Sequence, residues 1–208
     1  MRDWMYSPAL FLISCGLSLV AGDLAAGSET SSSKAKDFAH EAEQKTDEFF
    51  KKIFAYESEK VFYKGAPPVI GMIPLPWVEP FLDQHLLKVC QRAITLEDEW
   101  LKRTAGRLKP LMGEHEFFCG SPWFPAEQLR VTDTRIVRDD EVQIEVELRW
   151  QTNDPGGENY KLHYRVWLNW HEENGKVVLS EIRHPDSKLT DEIEAVSQDY
   201  TKALKEMK

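Results

Sequence analysis

Between residues 127 and 184 the chain alternates apolar and polar side chains. The clearest run is Glu141–Trp150, where Val142, Ile144, Val146, Leu148 and Trp150 interleave with Glu141, Gln143, Glu145, Glu147 and Arg149. A period of two sends the first set to one face of a sheet and the second to the other, so one face is buried and one is wet. The same rhythm predicts strands over Leu129–Arg138, Asn159–His171 and Lys176–Arg183. Asp139-Asp140, Asp154-Pro-Gly-Gly157 and Asn174-Gly175 supply the turns. Asn-Gly suits a type I′ hairpin, because both central positions need positive φ. Four antiparallel strands in a meander follow.

The flanking segments carry a helical period. Phe38, Ala42, Phe49, Ile53 and Phe54 fall near one stripe between Ala35 and Phe62. Residues 64–76 hold four prolines and two glycines and predict a loop folded onto the body. Helix is expected again from Trp77 to Leu111, with Phe81, Leu86, Cys90, Ala93, Trp100 and Leu108 inward and Pro110 as its stop. Thr95-Leu-Glu-Asp98 reads as a cap for a new helical turn inside that stretch. Leu189, Ile193, Val196, Tyr200 and Leu204 recur at spacings of three and four, which predicts an amphipathic helix ending near Met207. It is placed to cover the sheet or to dock a second subunit. The expected fold class is α+β: N-terminal helices on a curved antiparallel four-stranded meander, plus a C-terminal amphipathic helix.

At 208 residues and 42% hydrophobic content the chain suits one core. A net charge of −9 argues against nucleic acid as partner, since phosphate binding needs clustered Lys and Arg. The N-terminus changes the picture more. Residues 1–26 resemble a signal peptide: Arg2 opens it, an apolar run spans Ala9–Val20, and small residues follow. That run is too short for an ordinary membrane span. Residues 27–36 read as a flexible Ser-rich linker, and 37–208 as a single α+β domain. The expected address is exported, periplasmic or secreted. Leu12-Ile13-Ser14-Cys15 offers a second reading, a lipoprotein anchor at Cys15, so an N-terminal membrane tether stays open. In an oxidising compartment Cys90 and Cys119 are candidates for a disulfide, and closing a loop of about 30 residues is worth roughly 3–4 kcal/mol in the chain-entropy model. Two buried thiols are the alternative.

Helices followed by this sheet resemble the nuclear-transport-factor-2-like (cystatin-like) architecture, and most closely the exported bacterial family termed domain of unknown function 3828. The aromatic run Phe49–Tyr56 carries the resemblance, with Cys119-Gly-Ser-Pro-Trp-Phe124, Gln128, and the strands Val142–Trp150 and Tyr160–Trp170. It covers about Phe38 to His184. The chain departs from the family in lacking an acidic residue before Pro122 and in its added C-terminal helix. The resemblance implies a cone with a sheet-lined cavity, and supplies no established catalytic residues.

Candidate chemistry is sparse. Cys119-Gly-Ser-Pro-Trp123 is partly similar to the Cys-Gly-Ser-Cys-Trp run of papain-like proteases, but Pro122 stands where the nucleophile would be. The six histidines show no metal-ligand spacing. Glu145, Glu147, Glu181 and Asp133 are the acid–base candidates, yet alternation points most of them to water. His163, Arg165, Trp167, Asn169 and His171 share one strand face, which is either solvent-facing or ligand-facing. No phosphate loop or dinucleotide fingerprint occurs, so neither cofactor nor metal is expected. The expectation is a non-enzymatic exported binding domain for a protein or small-molecule ligand in the envelope, with Trp77, Phe81, Trp123, Phe124 and Trp167 as ligand-binding residues. A small-molecule enzyme using the cone cavity is the alternative.

Overall fold

The computed structural model describes residues 32–59, 68–71, 73–108, 112, 117–118, 128–153 and 159–207. All of them belong to one of the two units into which the chain divides, the one spanning Ser31–Lys208. The expected signal segment, Cys15, Cys119, Trp123 and Phe124 lie outside the described residues.

Helix α1 spans Ser33–Glu59. Its first turn is tied by the Ser32 hydroxyl, which accepts from the Ala35 N–H at 3.1 Å. That cap starts the helix inside the stretch expected to be linker, because Ser32 satisfies an otherwise orphaned donor. Phe38, Ala42, Phe49 and Ile53 are buried along one side, as their spacing predicts; Phe50 is buried as well, and Phe54 is partly buried against the core.

The described part of the proline-rich stretch, residues 68–71 and 73–76, holds regular structure. Val69–Ile70 (β1) and Ile73–Pro74 (β2) form a minimal antiparallel pair around Gly71, whose φ of 61° the turn requires. A single helical turn, Leu75–Val78 (α2), and a 3₁₀ turn, Glu79–Phe81, follow. The helix expected from Trp77 therefore starts later, at Gln84 (α3, Gln84–Thr104). Two local facts explain the break. Leu82 is extended and bridges Leu179, while the Asp83 N–H donates to the Leu179 carbonyl at 2.9 Å. The Asp83 carboxylate then caps α3, accepting from the Leu86 N–H at 2.7 Å.

Within α3 the expected new cap at Thr95 is not made. The Thr95 hydroxyl donates back to the Gln91 carbonyl at 2.8 Å and the helix runs on. It stops at Thr104, six residues before Pro110, because Ala105 (φ 50°) and Gly106 (φ 70°) turn left-handed and the Gly106 N–H reaches the Leu101 carbonyl at 3.0 Å. This is the Schellman arrangement, with Ala105 in the left-handed position that glycine usually fills and Gly106 left-handed after it.

The meander forms as the alternation predicts. Strands β3 (Gln128–Arg138), β4 (Glu141–Asn153), β5 (Asn159–Glu173) and β6 (Lys176–Arg183) pair in sequence order, all antiparallel. Asn174 and Gly175 adopt φ of 53° and 74°, as a type I′ turn demands. Val142, Ile144, Val146, Leu148, Val166, Leu168 and Trp170 are buried on the face that meets the helices. Register shifts between Val131 and Asp133, between Ile136 and Arg138, and between Asn169 and Trp170 interrupt the ladder. Bulges of this kind bend strands and raise their twist. Helix α4 (Leu189–Glu206) buries Leu189, Ile193, Tyr200 and Leu204 and packs on α3. Thus the amphipathic stripe is spent largely on a neighbouring helix, and less on the sheet.

Candidate functional site

Parity on β4 and β5 decides what the sheet offers outward. If Ile144, Val146, Val166 and Leu168 face the helices, then Gln143, Glu145, Glu147, Arg149, His163, Arg165, Trp167 and Asn169 face the other way. Antiparallel register sets these residues directly opposite each other: Gln143 against Asn169, Glu145 against Trp167, Glu147 against Arg165, and Arg149 against His163. Cross-strand neighbours at this spacing interact, and here they do so through polar atoms.

Two carboxylates organise the patch. Glu145 accepts from the Trp167 indole N–H at 3.0 Å and from the Thr132 hydroxyl at 3.0 Å, with Arg165 at 3.4 Å. Glu147 accepts from the Arg149 guanidinium at 2.8 Å and pairs with His163 Nδ1 at 2.6 Å. The Gln143 amide donates to the Asn169 side-chain oxygen at 3.0 Å. The hydrogen bonds from Arg149 first, and from His163 second, hold the Glu147 carboxyl down at about 2. Glu147 is therefore ionised at any ordinary pH, and the proton in its bond to His163 resides on Nδ1. A neutral His163 then carries its lone pair on Nε2, the outward nitrogen. The result is a Trp–Arg–carboxylate–imidazole patch whose side chains are mutually oriented before any partner arrives.

Among the described residues, the predicted ligand-binding residues Trp77, Phe81 and Trp167 do not lie together. Phe81 is 4% exposed; its ring packs edge-on to Phe49 at 5.6 Å, with Lys45 and Lys52 Nζ 5.9 and 5.3 Å from its centroid. Trp77 is half-buried in α2. Trp167 lies on the outward face of β5, across the sheet from the core that holds Phe81. Only Trp167 among the described members of that set belongs to the polar patch. Phe81 was placed by its aromatic character, which serves the core equally well. Glu145, Glu147, His163 and Arg149 could be found from alternation plus register, but no linear motif announces them.

On the helix-facing side of the sheet the described residues form a packed aromatic core. Phe49, Phe50, Met112, Phe117, Phe118, Trp170 and Tyr200 are fully or almost fully buried there, and Phe49 meets Phe50, Phe81 and Phe118 edge-on. Glu97 and His184 are among the polar residues buried in the described structure. Burial pushes the Glu97 carboxyl up, against the lowering effect of the hydrogen bond it accepts from Tyr200. His184, 5% exposed, donates from Nε2 to the Phe117 carbonyl at 2.9 Å, and its buried Nδ1 has no hydrogen-bond partner among the described residues. Cys90 is a buried free thiol pushed up to about 12 by that burial; its expected disulfide partner Cys119 lies outside the described residues. Among the described residues no cluster of three potential ligands could hold a metal, and no helix is long and apolar enough to cross a membrane.

No protein-family model matches the chain, and neither a curated protein nor a solved structure matches it.

Proposed function

We propose that this chain is an exported, non-enzymatic binding domain that recognises a protein of the cell envelope through the outward face of its sheet. The observation that carries the reading is the Glu145–Trp167–Arg165 and Glu147–Arg149–His163 network. Tryptophan and arginine dominate the energetics of protein interfaces, and side chains already fixed by their neighbours lose little freedom on binding. The helix-side packing of Phe49, Phe50, Phe117, Phe118 and Trp170 supports a surface binder over an enzyme built on an internal cavity. Helices followed by a four-stranded meander support kinship with the nuclear-transport-factor-2-like fold and the domain of unknown function 3828 family.

The test is capture from envelope extract with the immobilised full chain, with Trp167→Ala/Arg165→Ala run in parallel and circular dichroism used to verify its fold. The expected result is a discrete partner retained by the wild type and lost by the double variant. Equal capture by both proteins, or none by either, overturns the proposal.

A further inference from the structure

A second surface, between α3 and α4, carries a different chemistry. A groove of about 400 Å³ is lined there by Arg92, Gln198, Thr201, Lys202, Lys205 and Glu206. It adjoins a smaller recess of about 100 Å³ that shares Arg92 and Gln198 and adds Val89, Glu194 and Ser197. The geometry follows from helix periodicity. Positions 198, 201, 202 and 205 are three or four apart, so they share one side of α4, and Ser197, Tyr200 and Leu204 beside them are buried.

We infer that this groove binds the phosphate group of a small phosphorylated molecule, with Arg92, Lys202 and Lys205 as its ligands. The chain as a whole carries −9, yet the larger chamber gathers three cations against one carboxylate, Glu206. Several cations elsewhere on the surface are matched, as Lys34 is with Glu172, Lys45 with Glu48, Arg165 with Glu145 and Arg103 with Glu99, while others, Lys88 and Lys176 among them, are not matched among the described residues; Arg92, Lys202 and Lys205 differ in lining one groove together. Arg92, Lys202 and Lys205 have no hydrogen-bond or ion-pair partner among the described residues. Unmatched like charges held on facing helices repel each other, and a dianion between them removes that repulsion.

A simpler account, compensation of the α4 macrodipole, covers only part of the set. Lys205 stands in the last turn of α4, where a cation is favourable. Arg92 lies in the interior of α3, far from either end of that helix. Its guanidinium provides the forked donor that suits a phosphate oxygen pair, and the two lysines add point charges. Glu194, at the far end of the recess, disfavours a second anionic group there. The ligand class that fits has one phosphate at the Lys202–Lys205 end and a neutral or cationic remainder toward Glu194.

Isothermal titration calorimetry on the full chain, at constant ionic strength, decides the matter. Inorganic phosphate, glycerol 3-phosphate and phosphoethanolamine are the soluble probes; vesicles containing phosphatidylglycerol are the lipid arm. Saturable binding of the soluble phosphates is expected, with chloride at the same ionic strength giving no heat. Arg92→Gln and Lys202→Gln should each weaken binding by roughly ten-fold, the value of one charge-assisted hydrogen bond. Lys176→Gln, remote from the groove, should leave it unchanged. All three positions are exposed, so these variants are expected to fold. Absence of saturation, equal affinity in Arg92→Gln, or binding confined to vesicles overturns the assignment.

Discussion

The Tyr200 hydroxyl on α4 donates to Glu97 Oε1 on α3 at 3.0 Å, and both residues are buried. The same hydroxyl accepts from the Met112 N–H at 3.2 Å. One phenol thus joins the C-terminal helix, α3 and the segment that leads toward the sheet. The Trp100 ring lies edge-on to Tyr200, with centroids 6.1 Å apart. Removal of the hydroxyl in Tyr200→Phe leaves a buried carboxyl oxygen and a backbone N–H unsatisfied. The expected loss is about 1–3 kcal/mol, read from urea denaturation midpoints.

Glu97 also gives the fold a pH dependence of known sign. Its folded value is raised above 4.5, chiefly by burial, so the folded state holds the proton more tightly than the unfolded chain does. Its contribution is complete below 4.5 and is lost as pH rises through the folded value. Glu97→Gln keeps an acceptor for Tyr200 and removes the titration. Denaturation midpoints across this range should slope downward in the wild type relative to Glu97→Gln; parallel curves would rule out the account.

The Glu147–His163 pair runs the other way. With Glu147 held at about 2, its contribution is present above 4.5 and disappears as pH falls through that lower value. A further prediction concerns the tautomer of the neutral His163 ring. Nitrogen-15 NMR should find the His163 proton on Nδ1 in the wild type, and a shift toward Nε2–H in Glu147→Leu. A neutral ring already on Nε2–H in the wild type would contradict the hydrogen-bond assignment.

Inside and outside of the sheet should separate cleanly by substitution. Ile144→Ala removes a fully buried side chain and is expected to cost about 2–5 kcal/mol. Gln143→Ala, one residue away, loses one partly buried hydrogen bond to Asn169 and should cost about 1 kcal/mol or less. Chemical denaturation of the two variants checks both values, and equal losses would mean that the strand faces are misassigned.

Cys90 should be inert in the folded protein. Its thiol is buried and pushed up to about 12, and the thiolate is the reactive species. Iodoacetamide at pH 8 is expected to leave it unmodified under native conditions and to label it in denaturant without reductant. Failure to label under denaturing, non-reducing conditions would indicate a bridge to Cys119 instead.

Much of the fold was legible because two periods are written plainly into the chain. Alternation from Glu141 through Leu148 set the strand faces, Asn174-Gly175 set the last turn, and the 189–204 stripe set α4. Helix limits were less legible because short-range competitors overrode the periodic signal. Asp83 capped α3 where apolar spacing extended it upstream to Trp77, and the Ala105–Gly106 turn ended it before Pro110 was reached. Thr95, a good capping residue in isolation, stayed inside the helix by bonding to Gln91.

The candidate sites depended on distance in space. By itself the sequence determined that Trp167 and Glu145 belong to outward-pointing sets, since parity along a strand is a local property. Only the pairing of β4 with β5 put that indole against that carboxylate. The groove is the stronger case: Arg92 and Lys202 are far apart along the chain, and no local rule relates their charges. Packing of α4 on α3 brought them to one hollow, because burying Tyr200 and Leu204 left the adjacent side of α4 facing it.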